Sequence, residues 1–372
     1  MDFWAVGPDR VPYGQLEVLE WSAVLRDCDE GTWTMTLVDD DLSRSMVEGW
    51  RVIASDEGQT VFSGTVLSYG GDVGDESLTI SGIDDTALLG FRVTYPDPTK
   101  PAEQQSAAAY YEHTGTAGRV LDKLVWENIG LGAVEPRRIA RWAQSPAGGG
   151  GLGSSVSIST RYKNLLEESR TLARLGGVTF LANQQEDSDR IVLRLRAPED
   201  LTSWAWFSRG DGGGLTGGTY TLTAPTVTNV LVAGQGQGVA RTIKEHAASP
   251  SPWGMRIEQF QDRRDTDDPD ELQQAGAETL AEGAASASAT VEVEEVPGLV
   301  YGVDYRLGDI VRVDFGRATV DEPVRAVELT GDPFGRTVKL TLGDHASEDD
   351  NNPVWDKQIR ALARRLRGLE TI

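Results

Sequence analysis

Leu78-Thr79-Ile80-Ser81-Gly82-Ile83-Asp84, near the start of the chain, is answered near its end by Leu340-Thr341-Leu342-Gly343-Asp344. Glycines and valines ahead of each run follow in the same order: Gly49, Val52, Gly64 and Val66 in the first copy, and Gly308, Val311, Val324 and Val327 in the second. The offset is 308 minus 49, or 259, at the leading glycines and 343 minus 82, or 261, at the trailing ones. Because the two offsets are so close, the sequence predicts one β-rich design used twice.

Both copies consist of short strand-like segments separated by turns. From Leu16 to Ile83, β-branched and aromatic runs alternate with turn-formers such as Asp29-Glu30-Gly31 and Gly70-Gly71-Asp72. In the second copy, apolar and polar residues alternate strictly in 311–315 and 338–342, as in half-buried antiparallel strands. The predicted fold is mainly β with α+β insertions, built on two similar small β-barrel or sandwich domains.

A helix and a hairpin are predicted between the two copies. Thr116 is a plausible N-cap for a helix that ends at Gly130. A second helix follows the apolar spacing of 162–173 and stops at Gly176-Gly177. Strands over 178–182 and 191–196 then complete a helix-hairpin module. Farther on, Asp268-Pro269 supplies an N-cap and a proline at the first helical position, which predicts a helix to about Ser288.

The last twenty residues predict a C-terminal helix with an apolar seam. Its members are spaced by four and three residues in turn: Trp355, Ile359, Leu362, Leu366 and Leu369. Basic residues surround the seam, and the tail carries a net positive charge. An isolated helix this short is marginally stable, so the seam must dock on its own chain, on symmetry mates or on another protein. We expect this helix to be a partner-docking element.

These patterns predict six segments with different organisation. They are an N-terminal β-barrel-like domain over 1–94, an insertion with one helix and a glycine-rich link over 95–154, the helix-hairpin module over 155–200, connecting β segments over 201–262, a helix plus the second β-barrel-like domain over 263–346, and a linker with the docking helix over 347–372.

Composition excludes several classes of function. The net charge of -23 disfavours a protein that grips nucleic acid in a groove. Cys28 is the only cysteine, which excludes an intrachain disulfide and a multi-cysteine zinc site. The sequence has no signal-peptide pattern and no apolar run of the length that a membrane span needs, so a protein made in the host cytoplasm without a signal peptide is expected.

Patterns typical of enzymes are missing. His113, His246 and His345 have no Gly-x-Ser-x-Gly or His-Glu-x-x-His context. The nominal glycosidase carboxylates are Glu112, Glu127, Glu167 and Glu168, which 58 acidic residues would provide by chance. The acidic runs 39–41 and 265–270 lack calcium-loop spacing and predict solvated turns and helix capping. We expect no catalytic residues, no metal and no cofactor.

Trp204-Ala205-Trp206 places two tryptophans on one face of a predicted strand. Such a pair is a possible sugar-stacking platform, but aromatic side chains also anchor protein interfaces and cores. Core or subunit packing is the favoured interpretation, with glycan binding as the alternative.

Two longer stretches resemble a known family. They are Tyr305-Arg306-Leu307-Gly308-Asp309-Ile310-Val311-Arg312-Val313, which follows the predicted 268–288 helix, and Asn229-Val230-Leu231-Val232-Ala233-Gly234 before a glycine-rich turn. In these stretches and in the order of its elements, the chain resembles the minor tail proteins of long-tailed actinophages and related prophages. That family is similar in layout to the central baseplate hub of contractile tails.

The resemblance implies a virion protein of the tail tip. It implies a homotrimer whose two related domains per chain form a pseudo-sixfold ring, which joins tail tube to tail tip around the DNA-ejection channel. Implied partners are the distal tail protein, the tape-measure protein and tail fibre or spike proteins, with DNA only in transit. A receptor- or glycan-binding tail-tip protein is the alternative, and a cell-wall hydrolase of the tail tip is the third candidate.

Overall fold

The computed structural model describes residues 1–71, 74, 76–210, 212–248, 253–264, 266–343 and 354–367. These residues form two compact units. The first contains residues 1–218 and 290–372, and the second contains residues 219–289. The sequence-based boundary at 201 lies within the first unit, and the boundary at 263 lies within the second.

Strands dominate the described chain, which confirms the predicted mainly β class. In chain order the strands are β1 Asp2–Val6, β2 Pro12–Gln15, β3 Val18–Arg26, β4 Thr32–Val38, β5 Arg51–Asp56, β6 Gln59–Gly70, β7 Ser77–Asp84, β8 Tyr111–Thr116, β9 Trp142–Ala143, β10 Ser155–Thr160, β11 Thr179–Gln184, β12 Ile191–Arg196, β13 Trp206–Ser208, β14 Leu215–Thr223, β15 Asn229–Ala233, β16 Ile243–Ala247, β17 Glu258–Asp262, β18 Ser286–Val293, β19 Ile310–Asp314, β20 Thr319–Asp332 and β21 Gly335–Leu342. The α-helices are α1 Ala117–Ile129, α2 Leu165–Gly176, α3 Pro269–Glu282 and α4 Val354–Arg367.

One 13-stranded sheet contains both copies of the predicted repeat. Its main path runs β14-β18-β21-β20-β3-β4-β7-β6-β5-β1-β2, and β19 and β13 branch from β20. The path β3-β4-β7-β6-β5 in the first copy has the same chain order and the same neighbours as β14-β18-β21-β20-β19 in the second. The duplication therefore covers five strands in each copy.

Local backbone geometry agrees between the copies. Gly49 and Gly308 both have φ in the left-handed region, at 83° and 87°, just before β5 and β19. Only glycine adopts this conformation at little cost, which explains the two leading glycines of the sequence repeat. A β-bulge follows Val66 in β6 and Val324 in β20. The register expected from sequence was wrong here, because Val66 corresponds to Val324 and not to Val327.

The sequence predicts small barrels or sandwiches, and no closed barrel is found among the described residues. The path of the large sheet ends at β14 and β2, and no pairing among the described residues joins these two strands. The two copies are instead consecutive parts of one open sheet, since β20 of the second copy pairs with β3 of the first.

The helix-hairpin module forms a separate core within the first unit. Helices α1 and α2 pack with β10 and β11 around buried side chains that include Leu121, Leu166 and Phe180. Asn164 caps α2 by accepting hydrogen bonds from the backbone of Leu166 and Glu167. Gly177 ends that helix at a φ of 64°, as the sequence predicts.

The second unit contains a three-stranded sheet and helix α3. β15 pairs with antiparallel β16 and parallel β17, and α3 packs on β15 through Leu272, beside Val230 and Val232. Helix α3 ends at Glu282, earlier than the expected Ser288, because 286–293 is already strand β18. Burial of four consecutive residues in that strand, 288–291, outweighs the helix propensity of its alanines.

Candidate functional site

The seam between β3 and β20 joins the two copies of the repeat. The strands are antiparallel, with Ala326 opposite Arg26 and Gly331 opposite Trp21. Just beyond the end of β3, the Asp27 N–H donates to the Arg325 carbonyl at 2.8 Å. Arg325 is the extra residue of the bulge in β20, so the bulge aims its backbone and side chain at the first copy.

Charged groups reinforce this seam at one end. The Arg325 guanidinium donates to Asp27 at 2.7 Å, and the Asp27 carboxylate is almost completely buried. Asp27 also accepts a hydrogen bond from the Thr179 hydroxyl of the helix-hairpin module. Charge-assisted hydrogen bonds are stronger than neutral ones, so this cluster fixes the position of the two copies.

Two strand edges in the large sheet have no pairing strand among the described residues, unlike β3 and β20. Beyond Val66, β6 pairs with β7 on one side, and no described strand pairs with its other side. β14 lies at the end of the sheet path, where β18 is its only described neighbour. Ser68, Tyr69 and Gly70 are exposed, as is most of β14. In the repeat, β6 corresponds to β20 and β14 corresponds to β3, the two strands that form the internal seam.

The C-terminal helix docks on the first copy of its own chain. Ile359 and Ala363 are buried against Ile83 and Ala87, and Trp355 packs partly buried beside them. Leu362 is half-buried. Leu369 lies outside the described residues, and only the backbone of Leu366 is described. Three members of the predicted seam are thus described with side chains, and Trp355 and Ile359 lie against the chain's own sheet.

A buried ion pair holds the same helix. Asp356 is fully buried and accepts a hydrogen bond from Arg26 at 2.7 Å. The hydroxyl of Thr32 donates to the same carboxylate. Arg360 pairs with Glu30 at 3.3 Å one helical turn later. Sequence reasoning missed Asp356 because its partners lie more than 300 positions away in the chain.

A second buried pair lies at the end of β7. Arg51 donates to both carboxylate oxygens of Asp85 at 2.7 Å, and the Ser63 hydroxyl donates to the same group. The adjacent Asp84 accepts from the Ala87 N–H, and burial raises the pKa of Asp84 to about 7. A raised pKa marks functional sites and structural networks alike. Here the contacts are structural, because Arg51 and Ser63 join strands β5 and β6 to the turn after β7.

A cavity of about 760 Å³ in the first unit is lined by four arginines: Arg194, Arg196, Arg306 and Arg336. Arg336 donates to Glu295 and Asp56, and Arg196 donates to Asp309. Arg194 donates to Asn183. Three of the four arginine side chains are thus hydrogen-bonded to other residues of the chain. The lining of the cavity is therefore chiefly a network of polar contacts that holds loops together.

The nominal catalytic residues do not converge on a reactive centre. Glu127 accepts a hydrogen bond from the Tyr111 hydroxyl at 2.7 Å, and Glu168 pairs with Lys163 at 3.3 Å. Glu112 and Glu167 are exposed. Burial lowers the pKa of His113, while His246 lies in the second unit and His345 lies outside the described residues.

No cluster of metal-ligating side chains occurs in the described part of the chain. Of the acidic runs, Asp39 and Asp41 pair with Arg44 at the surface. Asp265 lies outside the described residues, and Asp268 immediately precedes α3. None of the described helices has both the length and the apolar composition needed to cross a membrane.

Trp204 and Trp206 are about half exposed, at 50% and 48%, while Ala205 and Phe207 between and beyond them are buried. The alternation predicted for this strand is therefore present. The Arg312 guanidinium lies 5.9 Å from the centre of the Trp206 ring. This pair of rings forms an exposed aromatic face beside β19.

The fold is that of phage tail proteins. The 43 kDa tail protein of prophage MuSo2 from Shewanella oneidensis superposes with a TM-score of 0.56 at 13% identity, over 92% of this chain and 97% of that one. The prophage tail protein gp18 from Listeria monocytogenes EGD-e gives 0.53 at 13% identity, over 98% and 99%. A tail protein from Neisseria meningitidis MC58 also gives 0.53 at 13% identity, over 92% and 97%.

The chain belongs to the Siphovirus ReqiPepy6 Gp37-like protein family, whose model matches residues 15–344. No curated protein sequence matches the chain. The expected resemblance to phage tail proteins is confirmed: the chain belongs to a siphovirus protein family, and its fold is that of phage tail proteins.

Proposed function

We propose that this protein is a structural hub of the tail tip. Three copies form a ring that joins the tail tube to the tip and surrounds the channel for DNA ejection. The observation that carries the proposal is the duplicated five-strand path, β3-β4-β7-β6-β5 and β14-β18-β21-β20-β19.

Symmetry connects that duplication to the ring. Soluble oligomers are usually closed, and a head-to-tail contact forms a ring when its rotation closes. A chain with two similar sheets behaves as two units of such a ring, so three chains give six similar surfaces. A pseudo-sixfold ring of this kind is suited to joining parts of sixfold and threefold symmetry. The net charge of -23 fits a channel through which DNA passes without binding.

Partners in this role are the distal tail protein, the tape-measure protein and fibre or spike proteins. The C-terminal helix is a proposed contact with one of them. Its inner side is used by the chain, whereas Gln358 and Arg364 are exposed. Deleting 353–372 should leave the trimer intact but abolish binding to a neighbouring tail protein. Loss of the trimer would instead assign the helix to self-assembly. In this role the protein needs no catalytic residue and no cofactor.

Native mass spectrometry of the purified chain tests the ring. We expect a species of three times the 40.3 kDa chain mass. A monomer at every accessible concentration would contradict the proposal.

A glycan-binding function is the second candidate, and the exposed pair Trp204 and Trp206 favours it. Aromatic rings stack on sugar faces in the same way that they anchor protein interfaces. Glycan-array binding that disappears in Trp204→Ala would support this function. A glycan signal that persists in the variant would exclude this face as the site.

A further inference from the structure

We propose that β14 of one copy adds to the free edge of β6 in the next copy, as an antiparallel strand. This contact would repeat between chains the β3·β20 seam that exists within each chain. The inference rests on the proposed ring and names the contact that closes it.

The bulges set the correspondence between the strands. Val66 pairs with Gly82, and after the bulge Ser68 pairs with Ser81. Val324 pairs with Leu342, and after its bulge Ala326 pairs with Thr341. Ser68, Tyr69 and Gly70 in β6 therefore correspond to Ala326, Val327 and Glu328 in β20.

Within the chain, the β20 segment that follows the bulge is the part that pairs with β3. Ala326, Val327 and Glu328 lie opposite Arg26, Leu25 and Val24. Strand β3 is the neighbour of β4 in the first copy, as β14 is the neighbour of β18 in the second. The strand that belongs opposite Ser68, Tyr69 and Gly70 is therefore β14. Among the described residues, β14 does not pair with this segment of its own chain.

Both edges are ready for pairing. An unpaired strand edge presents a row of N–H and C=O groups that another strand can satisfy, and proteins usually cover or block such edges. Here neither edge carries a lysine or a proline. Tyr69 is 46% exposed, and Tyr220 and Leu222 on β14 are 36% and 42% exposed. Pairing would cover these apolar side chains along with the backbone edges.

The predicted seam between copies differs from the internal one at the bulge. Arg325, the bulge residue of β20, binds Asp27, whereas the bulge residue of β6 is Leu67. The Leu67 side chain packs in the apolar cluster of Ile83, Ile359 and Trp355. The seam between copies thus lacks the arginine–carboxylate clamp and has the C-terminal helix behind its bulge.

The arrangement uses the β14 edge and the β6 edge of every chain. Each chain would use β14 toward one neighbour and β6 toward the other, which is a head-to-tail contact. Three such contacts alternate with three internal β3·β20 seams. Six similar junctions then surround the axis.

Photo-crosslinking tests this contact in the full chain. Tyr69 is replaced by p-benzoylphenylalanine, an aromatic residue at an exposed aromatic position, and crosslinked peptides are mapped by mass spectrometry. We expect inter-chain dimers with crosslinks in 215–223, several-fold above the control. The control carries the same residue in place of Tyr13, which is 60% exposed on edge strand β2. A reciprocal variant at Tyr220 should crosslink to 66–71 and covers the case in which the first variant fails to fold.

The outcomes separate the contact from the ring. A trimeric mass with crosslinks that map away from both 215–223 and 66–71 would overturn the strand pairing and leave the proposed hub intact. A chain that stays monomeric, with no inter-chain crosslink from either position, would overturn both.

Discussion

Val66 and Val324 occupy the same place in two copies of one structural plan. The Val66 N–H donates to the Trp50 carbonyl at 3.0 Å, and the Val324 N–H donates to the Asp309 carbonyl at 2.9 Å. Each valine is followed by a bulge. Each acceptor residue directly follows a glycine in the left-handed conformation, Gly49 or Gly308. Agreement in hydrogen bonding, bulge and backbone conformation is stronger support for a duplicated sheet than shared residue types.

The buried pair of Arg51 and Asp85 should dominate the stability of the first copy. Asp85→Ala leaves a buried guanidinium without its carboxylate, which costs about 3–5 kcal/mol in the free energy of unfolding. Urea unfolding measures the loss. The matched control is Asp39→Ala at the surface pair with Arg44, where no measurable loss is expected. Equal effects of the two substitutions would contradict the structural role of Asp85.

Asp84 should make stability depend on pH. Burial raises its pKa in the folded protein to about 7, above the ordinary value of 3.8. Between these values the folded chain binds a proton that the unfolded chain does not, so the free energy of unfolding falls as pH rises toward 7 and then levels off. Asp84→Asn removes this contribution. The free energy of unfolding of the variant, relative to that of the parent, should therefore increase as the pH rises from 5 to 8, measured by urea unfolding.

The control for that experiment is Asp39→Asn. Its hydrogen bond with Arg44 lowers the pKa of Asp39 from the ordinary value of 3.8, so Asp39 is ionised throughout this range and the effect of Asp39→Asn should not vary with pH. A difference between Asp84→Asn and the parent that is constant across this range would show that Asp84 does not titrate there.

Asp27 and Arg325 should be energetically coupled across the internal seam. The two residues are 298 positions apart in the sequence, and their 2.7 Å contact joins the two copies. A double-mutant cycle with Asp27→Asn and Arg325→Met should give a coupling energy of about 1–3 kcal/mol in unfolding. Additive effects of the two substitutions would mean that the charged contact does not hold the seam.

The C-terminal helix should detach when its buried carboxylate is removed. Asp356→Ala leaves Arg26 buried without this partner, so backbone amides of 354–367 should exchange with deuterium faster than in the parent. Gln358→Ala alters an exposed position on the same helix and should leave the exchange unchanged. Unaltered exchange in Asp356→Ala would show that the apolar contacts of Ile359 suffice.

Local elements of this protein were predictable because their signals are local. The apolar spacing and Gly177 define α2, and β12 has the bounds that the sequence indicates. The duplication was also visible, since leading glycines are required by backbone conformation. Its register was not, because residue types do not reveal that Leu67 and Arg325 are bulged out of their strands.

Contacts between distant parts of the chain were beyond sequence reasoning. Residues 224–285 separate β14 from β18 in the sequence, which hides the fact that β14 belongs to the second copy. The partners of Asp356 are Arg26 and Thr32, at the opposite end of the chain. Hydrophobic periodicity predicted that the C-terminal helix docks, but it contains no information on the surface that receives it.

Particle images of the purified assembly test the central claim most directly. Rotational averages should show a threefold ring with six similar lobes, because each chain contributes two related sheets. A single-chain particle, or a twofold dimer without a central opening, would contradict the proposed hub.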